Sequence, residues 1–211
     1  ESGIFTTVQD TGRYGYQKFG MPVAGAMDPF AFRAANRLLG NNDNEACLEV
    51  TVGGPRLEFL KETQIAITGA NLQPRLNKRR INLWESYIVA KGDELDFLAA
   101  ENGMRTYISI FGGIDVPVVM GSRSTYIKAS IGGFQGRELR SGDVLYSYGK
   151  SGAATTRPLC IQPENIPTYD SIQTIRVILG PQDNSFTSAG IETFLTSEYS
   201  ISLDSDRMGY R

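Results

Sequence analysis

Residues 64–68 read QIAIT and residues 106–111 read TYISIF, and these two runs decide the fold class. Each is short, rich in isoleucine or aromatic residues, and followed directly by a glycine. Such runs are typical of strands rather than helices. Further runs of this kind occupy residues 87–90, 94–98, 144–148, 174–179 and 199–203. The sequence therefore predicts a mainly β protein.

The spacing of these runs indicates how the strands are arranged. The chain has 211 residues and 23 glycines, and its predicted strands recur about every ten residues, as in antiparallel barrels. We therefore expect closed or nearly closed β-barrel domains with few short helices, rather than an open parallel sheet.

Two segments interrupt the strand pattern. Asp28 is placed to cap a helix over residues 28–39, Pro29 suits its first position, and Gly40 suits its end. Asn36 falls on the side opposite Leu38, so we expect it to be exposed or to contact a partner. Residues 184–196 show a weaker apolar stripe and predict a second helix.

A faint internal repeat suggests the domain organisation. The helix at 28–39 precedes a predicted strand at 47–52, and the helix at 184–196 precedes the strand at 199–203. We assign residues 1–150 to a first barrel domain, 151–170 to a linker or crossover, and 171–211 to the start of a related second domain. The last segment is too short for a core of its own, so we expect an incomplete second barrel.

Composition excludes several classes of site. There are 21 basic and 23 acidic residues, without the basic excess typical of nucleic-acid binding. The one basic cluster, around Asn77, is interpreted as a solvated turn, with a site for an anionic ligand or partner as the alternative. The chain has no histidine, the commonest metal ligand, so we predict no metal site. No apolar run approaches the length of a membrane span, and we predict no membrane partner.

The two cysteines, Cys47 and Cys160, lie far apart and form no CxxC pair. Each is flanked by apolar residues, so both are expected to be buried, reduced thiols. Reduced thiols are typical of a cytoplasmic protein.

Several short motifs follow one another in a distinctive order. They are residues 6–17 (TTVQDTGRYGYQ), 20–28 (GMPVAGAMD), 35–41 (ANRLLGN), 48–51 (LEVT), 66–70 (AITGA), 112–117 (GGIDVP), 121–125 (GSRST), 132–137 (GGFQGR), 180–182 (GPQ) and 205–211 (SDRMGYR). Together they resemble the family of the 5-oxoprolinase C subunit, also called KipA or allophanate hydrolase subunit 2. They equally resemble the second half of the carboxyltransferase domain of urea carboxylases.

This resemblance implies two cyclophilin-like β-barrel domains per chain. It also implies a KipI-like B subunit as partner and an A subunit as third component. The implied activity is ATP-dependent opening of 5-oxoproline to L-glutamate, with magnesium at the level of the complex. Two alternatives stay open. One is the carboxyltransferase component of a biotin-dependent urea carboxylase, and the other is a non-enzymatic KipA-type antagonist of a KipI-like kinase inhibitor.

The candidate site residues are polar groups within these motifs. Asp10 and Arg13 flank Gly12, so the guanidinium could hold an anion, or the two charges could simply pair and close an exposed turn. Glu49 lies in an apolar strand, either at a sheet edge or placed there for function. The candidate catalytic residues are Asp10, Arg13, Glu49, Asp206 and Arg207, and the candidate cofactor-binding residues are Gly12, Ser122, Arg123, Ser124 and Arg137.

Overall fold

The computed structural model describes residues 1–149, 157–170, 172, 174–202 and 205. The candidate residues Asp206 and Arg207 lie outside the described residues. The chain divides into two compact units, Glu1–Asp170 and Ser171–Arg211. The assignment of the second unit to the start of another barrel stays a prediction.

Antiparallel strands form the first unit. In chain order they are β1 (Phe5–Gln9), β2 (Cys47–Thr51), β3 (Leu57–Glu58), β4 (Thr63–Asn71), β5 (Pro74–Leu76), β6 (Arg79–Arg80), β7 (Glu85–Val89), β8 (Glu94–Phe97) and β9 (Asn102–Ile110). A five-stranded sheet has the order β1-β2-β9-β4-β7, and a four-stranded sheet has the order β3-β8-β5-β6.

The two sheets share one apolar core. Its buried residues come from both sheets and include Val8, Leu48, Ile67 and Ile108 from the five-stranded sheet and Leu95 from the four-stranded sheet. Their inward-facing side chains alternate with outward-facing ones along each strand. The prediction of a mainly β fold with few helices is confirmed.

Helix α1 (Pro29–Leu38) covers the other face of the five-stranded sheet. The Asp28 carboxylate caps it by accepting hydrogen bonds from the backbone N–H groups of Phe30 and Ala31. Two free N–H groups of the first turn are thereby satisfied. The apolar side of α1 packs on Cys47 and Tyr107 of the sheet. Its predicted position and cap are confirmed.

The prediction for Asn36 is wrong. Asn36 is fully buried, donating through its amide to the Glu45 carbonyl and accepting from the Ser109 hydroxyl at 2.6 Å. The amide therefore joins the helix to β9 and to the loop after the helix, a role that helical spacing alone does not reveal.

Three predicted strands differ from the structure. Residues 144–148 form no strand, and Ser147 makes one isolated bridge to Ile114. Tyr146 and Tyr148 are 70% and 53% exposed, so this apolar run has no sheet to join. Residues 174–179 and 199–202 also have no strand, and residue 203 lies outside the described residues.

The basic cluster forms a hairpin. Strands β5 and β6 pair antiparallel, with Leu76 opposite Arg79. Asn77 and Lys78 between them have φ angles of 51° and 66°, the left-handed backbone that suits a tight hairpin turn. The interpretation of this segment as a solvated turn agrees with the structure.

The remaining helices are short. The second unit contains α2 (Ser188–Thr196), capped by the Thr187 hydroxyl, so this helix starts later than predicted. Single 3₁₀ turns lie at Gln17–Phe19, Ile127–Ala129, Pro163–Asn165 and Asp183–Ser185. Among the described residues, no helix has both the length and the apolar character needed to cross a membrane.

The two cysteines lie in different environments. Cys47 is buried as predicted, whereas Cys160 is exposed, so its predicted burial is wrong. Burial, with the nearby carboxylates of Glu49 and Asp10, raises the pKa of the Cys47 thiol well above its usual value. A thiol with a raised pKa and no solvent contact is unreactive.

We therefore expect one fast-reacting thiol per native chain when the protein is titrated with a disulfide reagent at pH 8. Cys160→Ser should remove the fast phase, and Cys47 should react after denaturation. Two fast thiols in the native protein, or a fast phase that survives Cys160→Ser, would contradict the burial of Cys47.

Candidate functional site

The Asp10 carboxylate lies just after β1 and is 1% exposed. One oxygen accepts from the Gly12 N–H at 2.8 Å and from the hydroxyls of Ser122 and Ser124 at 2.7 and 2.5 Å. The other accepts from the Arg123 N–H at 2.6 Å. These four donors replace the water lost on burial, which is the condition for keeping a carboxylate inside a protein.

Arg13 is fully buried beside this carboxylate. Its Nε donates to the Val119 carbonyl at 3.2 Å and its Nη2 to the Ser124 carbonyl at 2.8 Å. Its Nη1 is buried without a hydrogen-bond partner. Burial lowers the pKa of Arg13, and the charge of Asp10 partly offsets that effect.

These contacts exclude the exposed Asp10–Arg13 turn as an explanation. Arg13 donates to carbonyl oxygens of the segment 119–124, and the two residues meet there through Ser124. Both side chains are buried rather than solvated. Together with Gly12, Ser122 and Ser124 they form what we call the β1 clasp, which joins the end of β1 to the segment 119–124.

Two glycines permit the close packing of the β1 clasp. Gly12 has φ of 103°, and a Cβ there would lie 2.6 Å from Val23 Cγ1. Gly132 has φ of 68°, and a Cβ there would lie 2.2 Å from the Ser124 carbonyl oxygen and 2.7 Å from Arg13 Nη2. Any side chain at Gly132 would collide with the Ser124 carbonyl and with Arg13, which gives the glycine at the start of the motif 132–137 a structural reason.

Glu49 forms a second polar cluster on the helix-covered face of the five-stranded sheet. It is 1% exposed and lies on β2, between β1 and β9, so it is not at a sheet edge. Its Oε2 accepts from the Met27 N–H and the Tyr107 hydroxyl, both at 2.8 Å. Its Oε1 lies 3.8 Å from Arg105 Nε.

Tyr107 links Glu49 to the start of α1. Its hydroxyl donates to Glu49 and accepts from the Asp28 N–H at 2.7 Å. Burial, followed by the neighbouring Glu49 carboxylate, raises the pKa of Tyr107 far above its ordinary value. Asp28 in turn accepts a 2.7 Å hydrogen bond from the Tyr169 hydroxyl. The cluster therefore combines a negative charge, a neutral phenol and a helix start.

The arrangement can be compared with known proteins. A family model described as carboxyltransferase domain, subdomain A and B, matches residues 19–211. The chain belongs to this carboxyltransferase family. It is 38% identical to the C subunit of 5-oxoprolinase from Escherichia coli, over 100% of this chain and 66% of that protein. It is 37% identical to Lachancea kluyveri urea amidolyase, over 99% of this chain and 12% of that protein.

Solved structures of the carboxyltransferase family share the fold. The crystal structure of Kluyveromyces lactis urea carboxylase superposes with a TM-score of 0.89 at 38% identity, covering 100% of this chain and 20% of that one. The chain thus spans just under two thirds of the E. coli protein and a small part of the urea-processing enzymes.

The predicted residues of this carboxyltransferase-family chain fall into separate groups. Asp10, Gly12, Arg13, Ser122 and Ser124 meet in the β1 clasp, to which Arg123 contributes its N–H. Glu49 belongs to the second cluster. The catalytic role of Asp206 and Arg207 stays a prediction.

Arg137 is held elsewhere. It forms a two-point ion pair with Asp143, with distances of 2.7 and 2.9 Å, and also donates to the Glu138 carbonyl and the Gln135 side chain. The hydrogen bond to Asp143 raises the pKa of Arg137. Both of its Nη groups are therefore engaged within the chain.

Sequence reasoning missed Tyr107, Arg105 and Thr51. The signal was available in the period-two alternation of strands. Arg105 and Tyr107 are two residues apart on β9, and Glu49 and Thr51 are two apart on β2. The pairing of β2 with β9 had to be known before these positions could be placed side by side.

We expect Arg13→Lys and Arg13→Ala both to lower the free energy of unfolding, by about 2 and about 3–5 kcal/mol respectively. An ammonium cannot reproduce the planar fork that reaches both Val119 and Ser124, and alanine leaves a cavity as well. Denaturant unfolding measures both values. The control is Arg80→Ala, which removes a 61% exposed partner of Glu101 and should cost less than about 1 kcal/mol.

The opposite result has a clear meaning. Normal stability in Arg13→Lys, combined with lost binding of an anionic ligand, would show that the unpartnered Nη1 binds that ligand rather than stabilising the β1 clasp.

Proposed function

We propose that this chain is part of the C subunit of an ATP-dependent 5-oxoprolinase, which opens 5-oxoproline to L-glutamate together with its A and B subunits. The observation that carries the proposal is the 38% identity to the corresponding E. coli protein over the whole of this chain. The proposal includes a KipI-like B subunit as direct partner. It also includes the cytoplasm as location, which the unpaired thiols of Cys47 and Cys160 support.

The chemistry requires activation of a stable lactam. Transfer of the ATP γ-phosphate to the lactam oxygen, with ADP leaving, would make the ring carbon a better electrophile. Attack of water on this carbon, with cleavage of the ring C–N bond and loss of phosphate, would then give glutamate. The protein would position the reactants and stabilise the developing charge. Of the predicted catalytic residues, Glu49 is the one best placed to act on a bound substrate, because the partly exposed Arg105 lies beside it. We assign Asp10 and Arg13 a positioning role through the segment 119–124.

The fit to ATP can be tested on the predicted ligand residues. Arg123 has a buried Nε without a hydrogen-bond partner, and its guanidinium lies 5.3 Å from the ring centre of Tyr148. Tyr148 is 53% exposed. A cation over an accessible aromatic ring suits an anionic nucleotide. We therefore propose that Arg123 binds the nucleotide. The guanidinium of Arg137 is instead paired with Asp143 of the same chain.

Magnesium is assigned to the complex rather than to this chain. Within the described residues, no three His, Cys, Asp or Glu side chains converge as metal ligands. The phosphates of ATP and a partner chain would supply the oxygens that Mg²⁺ prefers.

A second candidate function is the carboxyltransferase component of a urea carboxylase-type enzyme. The 37% identity to L. kluyveri urea amidolyase and the superposition on K. lactis urea carboxylase favour it. Biotin would then be the cofactor. The sequence contains no Ala-Met-Lys-Met biotinylation motif, since Ala26 and Met27 are followed by Asp28. The carrier would have to lie on another domain or chain.

The deciding experiment is a coupled assay on the chain co-expressed with its proposed A and B partners. We expect glutamate and ADP to appear together from 5-oxoproline and ATP, and no turnover from the chain alone, because the catalytic groups are shared across the complex. Addition of avidin should leave the rate unchanged.

Two results would contradict the proposal. Robust turnover by the isolated chain would remove the need for partners. An avidin-sensitive, bicarbonate-dependent reaction with urea, in the absence of 5-oxoproline turnover, would establish the carboxyltransferase alternative instead.

A further inference from the structure

The helix-covered face of the five-stranded sheet becomes polar beyond the start of α1. Tyr107 marks the boundary, because its ring packs edge-on against Phe32 with centroids 6.3 Å apart. Glu49 lies directly opposite Tyr107, and Thr51 lies directly opposite Arg105. Because side chains alternate along a strand, all four lie on this face. Arg105 and Thr51 are two residues further along their strands than Tyr107 and Glu49, on the side away from the apolar packing of α1.

Arg105 and Thr51 carry polar atoms without partners. Arg105 Nε and Nη1 and Thr51 Oγ1 are buried and lack hydrogen-bond partners in the structure. The distance of 3.8 Å from Arg105 Nε to Glu49 Oε1 is too long for a hydrogen bond. Buried polar atoms are normally paired, so three unpaired ones on neighbouring strands point to a missing acceptor and donor.

The surrounding acidic groups are already hydrogen-bonded. Glu49 Oε2 is held by Met27 and Tyr107, and the Asp28 carboxylate is held by the first turn of α1 and by Tyr169. Arg105, by contrast, keeps donors to spare. Its side chain is 28% exposed, so solvent reaches part of the side chain, although Nε and Nη1 are themselves buried.

We propose that Arg105 and Thr51 form an oxyanion subsite, which takes a carboxylate or phosphate oxygen from a small ligand beside Glu49. The guanidinium supplies charge-assisted donors and the threonine hydroxyl a neutral one. The subsite deepens the proposed function: resting on that function, the carboxylate of 5-oxoproline is one ligand with the required chemistry, and a phosphate of ATP is the other.

Titration calorimetry on the assembled complex tests the subsite with three probes. These are 5-oxoproline, inorganic phosphate, and 2-pyrrolidone, which is the same lactam without the carboxylate. We expect Arg105→Gln to weaken binding of the anionic ligand by about ten- to hundred-fold, and Thr51→Val, which keeps the side-chain shape, by a smaller factor. Binding of 2-pyrrolidone should stay unchanged in both variants.

The matched control is Arg80→Gln, which removes a guanidinium that is paired with Glu101 at the surface. It should bind every probe as the wild type does. Arg105→Lys is the second variant if Arg105→Gln lowers the melting temperature, since it keeps the positive charge and loses the planar donors. We expect Arg105→Lys to remain folded and still to bind the anion at least several-fold more weakly.

The probes distinguish the sources of the oxyanion. A loss confined to 5-oxoproline assigns the subsite to the substrate carboxylate, and a loss confined to phosphate assigns it to the nucleotide. Wild-type affinity for both anions in folded Arg105→Gln would overturn the subsite, as would a wild-type complex that binds neither anion. If the complex opens no 5-oxoproline yet binds phosphate in an Arg105-dependent manner, the proposed function fails and the subsite stands.

Discussion

The Asp10 carboxylate lies just after β1, where three of its four hydrogen bonds fix the course of a distant segment. Residues 119–125 contain no strand of their own, yet Ser122, Ser124 and the Arg123 N–H all converge on this one side chain. A buried carboxylate is tolerated only when it is fully hydrogen-bonded, so the segment has little freedom to move without exposing it or leaving it unpaired. Arg13 contacts the same segment and donates two hydrogen bonds to its carbonyl oxygens, at Val119 and Ser124.

The covering of one sheet face by α1 creates the second constraint. Phe32 of the helix packs on Tyr107. At the start of the helix, the N–H groups of Met27 and Asp28 donate hydrogen bonds to Glu49 and to the Tyr107 hydroxyl, respectively. Apolar packing therefore changes to polar contact within two residues along β9. Strand β2 positions Glu49, whereas its polar surroundings depend on where the helix begins, which the Asp28 cap marks.

Local patterns were predictable, whereas long-range partners were not. The strands around 64–68 and 106–111 and the cap at Asp28 depend on nearby residues, and the sequence sufficed for them. Residues 144–148 have equally suitable side chains, but a strand needs a neighbour, and Ser147 finds one bridge. Asn36 and Cys160 were misplaced for a related reason, because their burial depends on which distant segment packs against them.

In the candidate site, too, the sequence indicated individual residues but not which distant residues they contact. Asp10 and Arg13 lie in one motif, and Ser122 and Ser124 lie in another. Their convergence required a fold that brings together positions more than a hundred residues apart. Arg105 lies outside the distinctive motifs, and Thr51 ends the motif 48–51 without any feature that marks it as a site residue. Their relation to Glu49 follows from strand register, which depends on the complete sheet.

The span of the β1 clasp also bears on how the chain folds during synthesis. Asp10 and Ser124 are 114 residues apart, so at roughly 5–20 residues per second the partner of Asp10 leaves the ribosome roughly 6–23 seconds later. Until then, β1 can pair with β2, but the carboxylate of Asp10, just after β1, must stay hydrated. The first unit is therefore expected to acquire its helix and hairpins early and to close around Asp10 late, as is common when the stabilising contacts are far apart in sequence.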